Sequence, residues 1–211
     1  MPEDAQRRPL VIGIVGGIGA GKSAVARLLA THGAAVIDSD TIAKAALDRE
    51  DVRDALVSWW GDEVLGADGR IDRQAVGKIV FADDVERRKL ESLVHPLVHA
   101  ARAEAITDAA AAGVRAVVVD APLLFEAGVD RECDVVIFVD VPRETRLARV
   151  ASRGWDEAEL DRREAAQWPI DRKRAASSHV IENAGSEADL QRAVRDLWDS
   201  LPSPPAPASM P

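Results

Sequence analysis

Residues 16–23 read GGIGAGKS, a glycine-rich octet closed by a lysine and a hydroxyl side chain. That order suits anion chemistry. Gly16, Gly17, Gly19 and Gly21 let the backbone curl with its N–H groups turned inward, while Ile18 spaces the turn and the small Ala20 leaves it uncrowded. The pattern G-x-x-x-x-G-K-[ST] specifies a cradle for the phosphates of a nucleoside triphosphate. In it Lys22 bridges the β- and γ-phosphates, the Ser23 hydroxyl ligates Mg²⁺, and Ala24 follows in a helix whose N-terminus adds its positive dipole end. Two carboxylates come next in VIDSD, residues 36–40, which sets Asp38 and Asp40 at the end of a short apolar run. A carboxylate beyond the γ-phosphate can orient an attacking hydroxyl in line, and through water it can also hold Mg²⁺. Asp38 is expected across an extended backbone from Asp40, in a supporting hydrogen-bonding role. Asp120 closes the run AVVVD at the position where a carboxylate holds a metal-bound water.

Such groups need strands to hold them. Residues 10–15, 34–38, 116–120, 134–140 and 179–182 are short runs rich in β-branched residues, continuous rather than alternating, as in parallel strands covered on both faces. Helical patterns over 22–32, 142–153 and 186–201 separate them, the last opening on Ser186 as an N-cap. Strand and helix in alternation predict a doubly wound α/β sheet of five parallel strands. The stretch 44–113 is helix-patterned, turns at GADGR (66–70) and ends on Gly113. It exceeds a single crossover, so it reads as a helical insertion over the carboxyl edge of the sheet, within a core of 10–43 and 114–201. Residues 1–9 and the proline-rich 202–211 read as disordered tails.

Composition narrows the class. The 211 residues fit one domain, and no apolar run is long enough for a membrane span. A net charge of −9 argues against general nucleic-acid binding, so an anionic ligand needs a local positive site. Residues 141–175 supply one, with nine basic and seven acidic side chains. The opening residues lack the pattern of a signal peptide, which gives the expectation of a cytoplasmic protein. The single Cys133 excludes an internal disulfide and reads as a packed thiol. A monomer or weak homo-oligomer is expected.

A phosphate loop alone serves switches, motors and small-molecule kinases. The only asparagine, Asn183, precedes alanine, so the Asn-Lys-x-Asp of guanine recognition is absent, and VVVDAP lacks the paired acids of motor ATPases. A kinase remains. Here the sequence resembles the dephospho-CoA kinase family in GIVGGIGAGKS (13–23), VIDSD (36–40), GRIDR (69–73), IVFAD (79–83), LESLVHPLV (90–98), DAPLLFEAG (120–128), Q-x-P-x-x-x-K (167–173) and VIENAG (180–185). These occur in the family's order. Ser177 and Ser178 stand where the family usually has Ala-Asp, and Gly13–Val15 is Gly-Ile-Val rather than Gly-Leu-Thr.

The resemblance implies a P-loop NTPase fold with a helical insertion and a lid at about 143–175. It implies ATP-dependent phosphorylation of the ribose 3′-hydroxyl of dephospho-CoA, with Mg²⁺ as cofactor, the acid pair facing the acceptor sugar and Asp40 taking the hydroxyl proton. It places His95, at a helix start before Pro96, on the acceptor side, and Asn183 and Gly185 at the adenine of ATP. In this light Arg149 and Arg153, four apart on one helix face, close over the triphosphate with Arg162 or Arg163, Arg149 being first choice for the transferring oxygens. Leu123 and Phe125 either line the acceptor or pack in the core. The tryptophans read as packing residues. The competing readings are a nucleoside or nucleoside monophosphate kinase and a regulatory protein that uses ATP as a switch.

Overall fold

The structure, a computed structural model, describes residues 8–202. Strands β1 (Leu10–Gly16), β2 (Ala35–Asp38), β3 (Ala116–Asp120), β4 (Val135–Asp140) and β5 (His179–Glu182) form one parallel sheet in the order β2-β3-β1-β4-β5. The helices are α1 (Lys22–Thr31), α2 (Ser39–Leu47), α3 (Glu50–Trp60), α4 (Arg73–Ala82), α5 (Asp84–Ala111), α6 (Arg143–Ala151), α7 (Glu157–Glu164), α8 (Ile170–Ala175) and α9 (Glu187–Ser200). None of them is long and apolar enough to cross a membrane. Two compact units emerge: the sheet unit, built from residues up to Asp38 and from Ile106 onward, and a helical unit, Ser39–Ala105.

Alternation along β1 explains the layering of the sheet unit. Leu10, Ile12 and Ile14 pack with Val25 and Leu29 of α1 and with Leu190, Val194 and Trp198 of α9. Val11 and Val15 pack with Val119, Phe138, Leu124 and Phe125, and Trp168 and Ile170 press against that cluster. Both faces of the central strands are therefore dry, as their continuous apolar runs require. The expectation of full burial fails at the outer strands, where Val36 and Val180 are each 43% exposed. β2 and β5 are the sheet's two edges, so less of the protein covers them. α9 begins as expected, with Ser186 and Asp189 forming a reciprocal capping box.

The helical unit has its own core of Val52, Leu56, Val64, Ile71 and Val76, backed by Trp59, Trp60, Leu90, Leu93 and Leu97. GADGR is a turn, closed by the Gly66 N–H to Arg70 carbonyl bond at 2.8 Å and by a bridge between Leu65 and Ile71. This unit starts at Ser39 rather than 44 and ends at Ala105 rather than 113. Ile106, still within α5, already packs into the sheet unit's core, and the helix closes on Gly113, whose N–H reaches the Ala110 carbonyl at 3.0 Å. α5 also runs straight through Pro96, so His95 lies mid-helix and not at a helix start. Proline removes one N–H from a helix without obliging a 28-residue helix to end there.

The tails expected at 1–9 and 202–211 fall almost entirely outside the described residues. Arg8 and Pro9 correct the first boundary. The Arg8 guanidinium holds both Asp134 oxygens, at 2.8 and 2.6 Å, and Pro9 is buried. Asp134 also accepts the Val11 N–H at 2.9 Å, which ties this entry segment to β1. Cys133 is half-buried with its thiol 3.4 Å from the Val129 carbonyl, a packed position.

Candidate active site

β1 delivers the chain to Gly16, and α1 begins at Lys22, so the glycine-rich octet spans the turn from the central strand to a helix N-terminus. Among the described residues the backbone N–H groups of Ile18, Gly19, Gly21, Lys22 and Ser23 donate to no backbone carbonyl, whereas Ala20 donates to Gly17 at 3.1 Å. A row of unspent donors at a helix start is an anion cradle. Gly21 sits at φ 90°, left-handed backbone that a side chain would strain. Gly17 is demanded by proximity instead, because a Cβ there would lie 2.7 Å from the Arg146 guanidinium.

Lys22 stretches back along the loop and donates to the Gly16 and Gly17 carbonyls at 3.1 and 3.3 Å. Burial, followed by the positive charge of Lys173, lowers its pKa to about 8; Asp120 opposes the shift, and Arg146 and Arg153 add to it. Ser23 lies 3.5 Å from Asp120, hydroxyl to carboxylate. Asp120 ends β3 in register with Ile14 on one side and Asp38 on the other. Two hard oxygen donors beside an anion cradle suit Mg²⁺, which keeps several waters and takes few protein ligands. No cluster of three or more acidic, histidine or cysteine side chains suited to a metal occurs among the described residues.

α6 seals the other side of the loop. Arg146, 4% exposed, donates to the Ile18 and Val141 carbonyls, each at 3.3 Å, and is ion-paired with Glu164. Arg149 donates to the Gly19, Ala20 and Asn183 carbonyls at 3.4, 3.3 and 2.7 Å. The buried Asn183 side chain donates to the Ala20 carbonyl at 2.8 Å, and its backbone N–H bonds the Asp140 carbonyl. Gly185 follows in the exposed turn before Ser186.

Several expected placements change. Asp38 closes β2, but Asp40 lies within the first turn of α2, so the two do not share an extended backbone. Both are exposed, and Asp40 and His95 belong to the helical unit, His95 on an exposed position of α5. Arg153 falls in the turn beyond α6, so it does not extend the helix face of Arg149. Arg162 and Arg163 are both bound to Glu159, and Arg163 also covers the Trp155 ring at 4.1 Å. The acids of the segment thus absorb much of its positive charge. Phe125 is 6% exposed and stacked on Trp168, centroids 5.1 Å apart, which makes it a packing residue, while Leu123 is 46% exposed. Ser177 and Ser178 bond the Lys173 and Val136 carbonyls, at 2.7 and 3.0 Å, which ties α8 to β4.

A cavity of about 230 Å³ opens beside Gly17, walled by Glu164, Gln167, Trp168, Ile170 and Lys173. Sequence reasoning counted Arg146 and Lys173 among the basic side chains of 141–175 and assigned no individual role to them or to Glu164, Gln167 or Glu126. One signal was present: Arg146 and Arg149 are three apart, which puts them on one face of α6. Trp168, read from sequence as packing, packs and also walls this cavity.

A parallel sheet of this strand order with an amide-lined G-x-x-x-x-G-K-S turn between β1 and α1 defines a P-loop NTPase fold of the small-molecule kinase kind. The dephospho-CoA kinase family model matches residues 10–189. The chain belongs to that family. It is 42% identical to a dephospho-CoA kinase of Thermobifida fusca over 194 residues, covering 91% of this chain and 96% of that one. Among solved structures, a Thermus thermophilus protein superposes with a TM-score of 0.81 at 37% identity, covering 93% of this chain and 100% of its own. The dephospho-CoA kinase of Campylobacter jejuni gives 0.69 at 25% identity, over 90% and 95% of the two chains.

Proposed function

We propose that this protein transfers the γ-phosphoryl group of ATP to the ribose 3′-hydroxyl of dephospho-CoA, giving coenzyme A and ADP, the closing step of coenzyme A synthesis. The observation that carries the reading is the amide-lined loop with Lys22 stretched along it, in a chain that matches the dephospho-CoA kinase family over residues 10–189.

In this mechanism the N–H groups of Ile18, Gly19, Gly21, Lys22 and Ser23 hold the β-phosphate, and Lys22 follows charge onto the oxygens between the β- and γ-phosphorus atoms. Asp40 orients the 3′-hydroxyl and accepts its proton as the oxygen attacks the γ-phosphorus. The new P–O bond forms as the bond to the β-bridging oxygen breaks, and ADP leaves with that electron pair. Asp38 supports this arrangement by hydrogen bonding, and His95 and Leu123 contribute to the acceptor surface. Ser23 and Asp120 would hold Mg²⁺, which would supply positive charge to offset that of the phosphates. Arg149 and Asn183 act on the nucleotide side, bracing the loop from the faces of its carbonyls. Arg153, in the turn after α6, contributes positive charge toward Lys22.

The expected setting is the cytoplasm, with small molecules as the only required partners. The decisive measurement is ADP release by purified protein with ATP and Mg²⁺, comparing dephospho-CoA with adenosine and AMP as acceptors. Turnover with dephospho-CoA at least about 10²-fold above the others is expected. Equal or greater turnover with a nucleoside or its monophosphate would replace this reading.

A further inference from the structure

The cavity beside the loop holds a second lysine that the loop motif does not explain. Lys173 of α8 is 2% exposed, yet it carries an ammonium group. Burying such a charge is costly unless it is paired. Glu126 provides the pairing at 3.0 Å, and Gln167 accepts from the same nitrogen at 2.8 Å. An ammonium has three donors. The third has no acceptor among the described residues, and Lys173 walls the cavity alongside Gly17.

The tether is itself rigid. Glu126 also accepts the Trp168 backbone N–H at 2.6 Å, and the Trp168 ring is held between Phe125 and the Arg172 guanidinium, the latter 3.4 Å from the ring centre. Burial pushes the Glu126 carboxyl up, but the Trp168 N–H and Lys173 outweigh this and hold it below the usual carboxylate range. Its other oxygen is buried without a hydrogen bond, so the bonds to the first oxygen set the carboxylate's orientation. α8 is therefore part of the packed sheet unit, and its charge is preset. Fixed charge of this kind acts on a developing anion with little reorganisation.

Resting on the proposed phosphoryl transfer, we propose that Lys173 is a second cationic contact for the transferring phosphoryl group, aimed by Glu126 and Gln167 as positioning residues. Lys173 enters no covalent step. Lys173 and Gly17 wall the same cavity, and the Lys22 ammonium donates to the Gly17 carbonyl at 3.3 Å, so the two side chains serve one region. The transferred group then meets ammonium groups from the loop and from the cavity wall.

The test is Lys173→Met alone and in combination with Glu126→Gln, which removes the stranded buried charge should the single variant fail to fold. Thermal unfolding establishes that the proteins compared are folded. The expected result is a kcat for dephospho-CoA phosphorylation lower by about 10²-fold in both, with the ATP KM within about threefold of wild type. Glu126→Gln alone should lower kcat by about tenfold, because Lys173 stays but is less firmly aimed. A folded double variant with wild-type kcat overturns the contact. Wild-type kcat in Glu126→Gln overturns the positioning role. If wild-type protein itself forms no ADP with dephospho-CoA, the proposed reaction fails instead, a result separable from either variant outcome.

Discussion

The Asn183 side chain, beyond the last strand, donates to the Ala20 carbonyl of the phosphate loop at 2.8 Å across 163 residues of sequence. The Asn183 carbonyl in turn accepts from Arg149 at 2.7 Å, and Arg149 reaches the loop at Gly19 and Ala20. Two distant segments thus fix the outward side of the loop and leave its N–H groups to face inward. Removing one partner of a buried hydrogen bond costs about 1–3 kcal/mol. Asn183→Ala should therefore lower unfolding stability by about that amount and raise the ATP KM by about tenfold. Denaturant titration and steady-state kinetics measure the two effects, and an unchanged ATP KM would show that the loop holds its shape alone.

ATP affinity should depend on alkaline pH through Lys22, whose pKa is lowered to about 8 chiefly by burial. Below that pH the ammonium is already formed and affinity should be flat. Above it the bound phosphates must draw a proton onto Lys22, so binding takes up protons and weakens by up to about tenfold per pH unit. The window runs from about 8 towards the ordinary lysine value, and the phosphates are fully ionised throughout it. Calorimetry in two buffers of different ionisation enthalpy would report that uptake, and its absence at pH 9 would contradict the assignment.

Gly17→Ala should disable the loop by a purely steric route. The added methyl would lie 2.7 Å from the Arg146 guanidinium, which is buried and ion-paired to Glu164, so neither partner can yield cheaply. ATP binding should fall by at least about tenfold while the fold, whose cores lie elsewhere, persists. Equilibrium binding together with far-ultraviolet dichroism distinguishes this from global unfolding.

Asp40→Asn should keep ATP binding and lose most turnover, by about 10²–10³-fold, because the amide can still orient a hydroxyl but cannot take its proton. Near wild-type kcat in this variant would remove Asp40 from the reaction.

Arg149→Lys should reduce kcat/KM for ATP by about tenfold, since a lysine cannot reach both the loop and the Asn183 carbonyl with the planar fork that arginine uses. An unchanged ratio would show that a single positive charge suffices there.

Local chemistry made much of this protein legible in its sequence. The octet at 16–23, the five β-branched runs, the capped start of α9 and the turn at GADGR depend on neighbours within a few residues, so pattern and propensity carry them. The helix containing His95 and Pro96 was legible only in part, because its length reflects the apolar cluster of the helical unit, which stabilises the helix on both sides of the proline. Arg153 and Arg163 were misplaced for a related reason. One lies past a helix end, and the other was captured by an acid of its own segment, outcomes set by where the chain turns and which charge it meets.

The sequence by itself determined that the chain would build a parallel sheet and a phosphate cradle, because glycine, lysine and apolar spacing act over a few residues. Tertiary structure decided which distant groups would serve that cradle: Arg146 and Asn183 against its outer side, and Lys173 in the neighbouring cavity wall. Those contacts arise from strand order and helix packing, which bring residues more than a hundred positions apart within hydrogen-bonding distance.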